Sequence, residues 1–124
     1  MKLIIGGAYQ GKRDFAKAAF HLTDAQIFTC TGEEIIFSAP CIDKIEEFTL
    51  GCVKAGKDPV AIFRQHEDEW KDAVLICQDI FCGVVPVDGH ARAWRQDTGR
   101  LCQYLASEAT RVSRIFCGLE HRLK

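Results

Sequence analysis

The sequence predicts an α/β domain of three layers, with helices on both faces of a mainly parallel central sheet. Three observations predict it. Strand-like apolar runs alternate with helix-like segments along the 124 residues, the pattern of strands linked by crossover helices. Two runs, residues 3–5 and 73–80 (AVLICQDI), are almost continuously apolar, as strands covered on both faces must be. The first run opens into GGAYQGKR, a glycine-rich turn directly before a helical pattern.

The elements follow in order. Residues 2–6 read as a buried strand, and residues 12–21 as a helix with Phe15, Ala18 and Ala19 on one face. Residues 26–31 read as a short second strand, and residues 33–39 fit either a strand or a loop. Pro40 is placed to open a helix carrying Ile42, Ile45, Phe48, Leu50 and Val53, with Gly56 ending it. Asp58-Pro59 restarts a helix to about residue 69, with Val60, Phe63 and Trp70 inward. After the 73–80 strand, residues 83–86 (GVVP) form a loop, and Asp88 can cap a long helix to residue 107. Trp94, Leu101, Tyr104 and Leu105 mark its core side. Residues 111–117 close with a strand, and Gly118 turns the chain into a short tail.

Composition bounds the function. A hydrophobic share of 48% with 27% charged residues is that of an ordinary globular protein, and residues 1–124 are expected to form a single nucleotide-binding domain. The net charge of −1 gives no support for nucleic-acid or membrane-surface partners. Six of the eight arginines do lie beyond residue 90, a bias that suits either phosphate contact or a solvated helix face. With no long apolar run and only a short N-terminal apolar stretch, a cytoplasmic location is expected. The seven cysteines are odd in number and include no C-x-x-C pair. Cys30, Cys52, Cys77, Cys102 and Cys117 read as small buried thiols rather than as disulfides or metal ligands.

The glycine loop carries the chemistry. Gly6, Gly11 and Lys12 satisfy the G-x-x-x-x-G-K part of the P-loop pattern, so the expected fold is P-loop NTPase-like. In such a loop successive N–H groups point at phosphate oxygens, the helix adds its positive end, and the lysine reaches the terminal phosphates. Gly6, Gly7, Ala8, Tyr9, Gln10, Gly11, Lys12 and Arg13 are therefore the candidate nucleotide-binding residues, for ATP or GTP. Arg13 stands where the pattern has a Ser or Thr to hold Mg²⁺. A guanidinium cannot ligate a metal, so Mg²⁺ is a doubtful cofactor here.

GGAYQGK, QDIFCGVVP and ARAWRQDTGR together resemble the adenosylcobinamide kinase/adenosylcobinamide-phosphate guanylyltransferase family of cobalamin biosynthesis. Gly6, Gly7, Ala8, Gly11 and Lys12 match its loop, and Gln78, Asp79, Gly83, Val85 and Pro86 its second motif. Arg92, Arg95, Gly99 and Arg100 match the third, and VSRIFCGLEHRLK looks like its closing segment. Departures are Arg13, Asp79 in place of Glu, and Cys102 in place of Asn. The family's guanylylated histidine segment has no counterpart, since His21 and His66 are isolated, so the guanylyltransferase step is expected to be lost.

The resemblance implies ATP- or GTP-dependent phosphorylation of the adenosylcobinamide hydroxyl. Lys12 and Asp79 would be catalytic, with Asp79 orienting Mg²⁺ or taking the hydroxyl proton. Arg92, Arg95 and Arg100 would contact substrate or phosphate, or alternatively form surface salt bridges. It also implies a homo-oligomer. Three readings stay open: a short kinase-type enzyme, a degenerate relative that binds a nucleotide or corrinoid without turnover, and an interaction protein whose loop is a relic.

Overall fold

The computed structural model describes residues 1–80 and 89–124. These residues build a six-stranded mixed sheet flanked by helices, in the order β2-β3-β4-β1-β5-β6. The strands are β1 (Lys2–Gly6), β2 (Ile27–Thr29), β3 (Cys41–Asp43), β4 (Val74–Gln78), β5 (Arg111–Phe116) and β6 (Leu119–Arg122). The helices are α1 (Lys12–Phe20), α2 (Ile45–Ala55), α3 (Pro59–Gln65), α4 (Glu67–Trp70) and α5 (Gly89–Glu108). The expected three-layer α/β fold with a mainly parallel sheet is the one observed.

The two most apolar runs are adjacent. β1 lies between β4 and β5, parallel to both, with Leu3 beside Leu75 and Val112. Alternation along these strands divides the core in two. Leu3, Ile42, Leu75, Cys77 and Val112 meet Phe48, Phe63, Trp70, Leu101 and Leu105 of the helices on one face. Ile4, Cys41, Val74, Ile76 and Ile115 pack with Ala16 on the other, so among the described residues α1 is the helix that covers that side. Only Ala16 of α1 is fully buried, flanked by Phe15 and Phe20, while the expected Ala18 and Ala19 face solvent.

Three element boundaries differ from expectation. Residues 33–39 take the loop alternative, whereas residues 41–43, read as the start of a Pro40-opened helix, are β3 instead. Pro40 gives its carbonyl to Val74 N–H (3.0 Å), and β3 pairs with both β2 and β4. Burial at the sheet centre therefore overrides the helical periodicity. Lys44, at φ 57°, makes the corner into α2, which Gly56 ends at φ 70° as expected. The helix from Asp58 breaks at His66 into α3 and α4, with Val60, Phe63 and Trp70 buried as anticipated. After Gly118 the chain does not trail away but returns as β6, antiparallel to β5.

The cysteines follow the expectation with two exceptions, Cys102, which is half-buried, and Cys117. Cys30, Cys41, Cys52 and Cys77 are buried, and burial pushes Cys30 and Cys41 up to about 12 and Cys52 to about 11. These thiols stay protonated and unreactive. Cys117 is exposed, because it forms the β5–β6 turn at φ 52°. The expected 83–86 loop, the Asp88 cap and the motif residues Gly83, Val85 and Pro86 lie outside the described residues.

Candidate functional site

Parallel strands deliver their carboxyl ends to one edge of the sheet, and there a cavity of about 530 Å³ opens. The loop from β1 to α1 walls it with residues 8–14. Asp43 and Lys44 at the end of β3, Glu46 in the first turn of α2, and Gln78 at the end of β4 complete the lining.

The loop is shaped by its glycines where a side chain would not fit. A Cβ on Gly6 would stand 2.6 Å from the Ile115 carbonyl oxygen and 3.4 Å from the Lys12 stem. Gly11 caps α1 at φ 93° and lies against Gly118 of the β5–β6 turn. That turn also anchors the loop. Gln10 Oε1 accepts from Cys117 N–H (2.7 Å), and Gln10 O accepts from Gly118 N–H (2.9 Å). Lys12 folds back over the loop, and its Nζ donates to Gly7 O at 2.6 Å. Loop and lysine are thus held in place by hydrogen bonds within the chain.

Arg13 lines the cavity with its side chain directed at acceptors near the strand ends. Its guanidinium donates to Thr29 Oγ1 (3.1 Å), Asp43 Oδ2 (3.3 Å) and Asp24 Oδ1 (3.3 Å), tying α1 to the ends of β2 and β3. Asp43 is nearly buried, and its other oxygen accepts from Lys44 N–H at 2.7 Å. Glu46 is buried too, with Oε1 accepting from Gln78 N–H at 2.8 Å. Burial pushes the Glu46 carboxyl above its usual range, against the opposing pull of that hydrogen bond.

Among the remaining expected site residues, Asp79 follows β4 directly and its N–H donates to Gly6 O at 2.7 Å. Its neighbour Gln78, not Asp79, lines the cavity. Arg92, Arg95 and Arg100 lie on α5 and do not line it either. Trp94 joins that part of α5 to the site, donating from Nε1 to Glu46 O (2.8 Å) and Thr49 Oγ1 (3.1 Å). Arg100 is exposed and 3.7 Å from Asp97, a surface ion pair of small energetic consequence.

Sequence reading missed Asp43, Lys44 and Glu46. The signal was present in Cys41-Ile42-Asp43, two apolar residues ending in an acid, the same form as the end of the 73–80 run. The helical period from Pro40 concealed it.

The donor set fits Mg²⁺ poorly. The loop offers no hydroxyl at position 13, Asp43 already meets a guanidinium, and no group of three metal-ligating side chains exists among the described residues.

A three-layer sheet with a glycine loop and lysine at its carboxyl edge defines a P-loop-like α/β protein. The chain belongs to the cobinamide kinase / cobinamide phosphate guanyltransferase family, whose model matches residues 49–123. That family places it among the nucleotide-using proteins of cobamide biosynthesis. The match runs from α2 to β6, so the glycine loop lies outside it and stands on its own geometry. Comparison with curated proteins gives no match. Among the described residues no helix is long and apolar enough to cross a membrane.

Proposed function

We propose that this protein binds ATP or GTP in the 530 Å³ cavity and transfers the terminal phosphoryl group to the hydroxyl of adenosylcobinamide, without the guanylyltransferase step. The observation that carries this reading is Lys12, held over the glycine loop by Gly7 O at the mouth of the cavity. Phosphoryl transfer demands positioning and charge neutralisation more than covalent chemistry from the protein. Backbone N–H groups of residues 8–12 hold the phosphates, and Lys12 exchanges its carbonyl partner for a terminal phosphate oxygen. The substrate oxygen bonds the γ-phosphorus as the bridging P–O bond breaks, and the nucleoside diphosphate leaves. The hydroxyl proton passes to a carboxylate at the strand ends, Asp79 after β4 or Asp43 of β3. Arg92, Arg95 and Arg100 are assigned to substrate or phosphate contact.

The Arg13–Asp43 ion pair favours a second reading, in which the protein binds a nucleotide or corrinoid and regulates or scaffolds without turnover. Nucleotide titration followed by a turnover assay with adenosylcobinamide separates the two. Turnover lost in Lys12→Ala, and in one of Asp79→Ala and Asp43→Ala, supports the kinase. Binding without turnover supports the second reading. Absence of nucleotide binding at millimolar concentration would reject both nucleotide readings and leave the loop a relic.

A further inference from the structure

Among the described residues four other than glycine hold a positive φ, and two of them, Tyr9 at 59° and Lys44 at 57°, line the glycine-loop cavity. A residue with a Cβ is strained in that region, and the strain persists only where its surroundings impose it. For Lys44 those surroundings are local. Its N–H donates to Asp43 Oδ1 (2.7 Å), and its C=O accepts from Glu47 N–H (2.9 Å) in the first turn of α2. Glycine would fit such a corner without strain, yet the sequence places a lysine there. The three cations of the cavity also differ in what they already hold. Arg13 is committed to Asp24, Thr29 and Asp43, and Lys12 to Gly7 O. Lys44 is exposed, and its ammonium makes no hydrogen bond or ion pair among the described residues.

We propose that Lys44 is a phosphate-binding residue of this site, and that Lys12 and Lys44 together hold a nucleoside triphosphate in its metal-free form. The proposal rests on the nucleotide reading above and adds to it the species bound and a second cation. Position 13 offers no hydroxyl and Asp43 already meets a guanidinium, so the donor set does not suit a metal. The charge of a triphosphate must nevertheless be offset for it to bind and react. An unengaged ammonium on a flexible four-carbon stem supplies a point charge that can adjust to the phosphates. The placement agrees. Lys44 follows the end of β3, and the stem of Lys12 passes beside Gly6 at the end of β1. β4 lies between those strands, whose ends are therefore about 10 Å apart, two strand spacings. The lysines thus approach the cavity from either side of β4. Two of the acids that share the cavity are otherwise engaged, Asp43 with Arg13 and Glu46 with Gln78 N–H, and do not hold the Lys44 ammonium.

Isothermal titration of ATP and of GTP into the full chain, in EDTA and in magnesium, tests it. The natural chain should bind the triphosphate equally well in the two. Lys44→Met keeps the apolar stem and removes the charge, and it should weaken binding in EDTA about tenfold, the loss of a charge-assisted contact. Lys44→Arg keeps a cation and should retain most of the affinity. Lys44→Gly separates ligand binding from folding, because glycine relieves the corner at φ 57°. Its thermal midpoint should hold or rise while its affinity falls as in Lys44→Met. Affinity unchanged in Lys44→Met but lost in Lys12→Ala would overturn the proposal and leave the nucleotide reading standing, and so would binding that requires magnesium. No binding of either triphosphate by the natural chain at millimolar concentration would reject the nucleotide reading, and this proposal with it.

Discussion

The guanidinium of Arg13 stands 3.3 Å from the nearly buried carboxylate of Asp43, and both residues line the glycine-loop cavity. A fixed cation thus stands at the sequence position where the P-loop pattern has a hydroxyl, and it pairs with the strand-end acid Asp43. Magnesium should therefore change nucleotide affinity little. In Arg13→Ser the hydroxyl is supplied and Asp43 is released, so magnesium should strengthen binding about tenfold, roughly 1.4 kcal/mol. Isothermal titration with and without magnesium reads this directly. Turnover in the natural chain that falls in Arg13→Ser would make the arginine a working part of the site.

Lys12 touches the rest of the chain through Gly7 O and its packing beneath Gly6. Lys12→Ala should leave the thermal midpoint within a few degrees of the natural chain yet weaken nucleotide binding by about tenfold or more, the loss of a charge-assisted phosphate contact. Titration beside a melting curve distinguishes this from unfolding. Unchanged affinity would show that the lysine serves the loop and not a ligand.

Gly51 sits within α2 where the helix meets the 32–33 loop. A Cβ there would lie 2.4 Å from Glu33 N and 2.8 Å from the Gly32 carbonyl carbon. Backbone must shift to admit it, so Gly51→Ala should destabilise by about 1–3 kcal/mol despite alanine's better helix propensity. Denaturant unfolding measures this. The same substitution at Gly56 meets no atoms but requires φ 70°, and it should act through backbone strain alone.

Burial raises the Glu46 carboxyl above its unfolded value. Between those two values the folded state binds more protons than the unfolded one, so the contribution of this group to stability falls as pH rises through the window. Glu46→Gln keeps an oxygen for Gln78 N–H and removes the buried charge. It should be more stable than the natural chain at neutral pH, with the gain shrinking as pH falls through that window to the ordinary glutamate range. Thermal midpoints measured across that range decide it. A gain that persists unchanged into acid would mean packing, not ionisation, is responsible.

Much of this protein is legible in local pattern. The continuous apolar runs identified β1 and β4 as strands buried on both faces, because only such a strand tolerates that composition, and in the sheet they are neighbours. Asp58, accepting from Val60 N–H at 3.0 Å, and Gly56 at positive φ are chain punctuation whose effects reach only a few residues. The spacing of Gly6, Gly11 and Lys12 likewise implied a loop that curls onto a helix start, because the conformational demand belongs to those residues themselves.

What escaped the sequence depends on partners far along the chain. Cys41, Ile42 and Asp43 form a strand because β2 and β4 pair with them, although their own period continues into a helix. Asp43 and Glu46 join the site because the strand ends converge in space. Arg13 points to the strand ends because Asp24, Thr29 and Asp43, 11 to 30 residues away, offer it acceptors. β6, read as a tail, is held by register with β5 and by the contacts of Glu120 with Ser113 and Arg111. Propensity, periodicity and turn chemistry act between near neighbours and can be read one segment at a time. The direction of a long charged side chain and the pairing of a short strand depend on free-energy differences set by distant groups, and those exist only once the chain has folded.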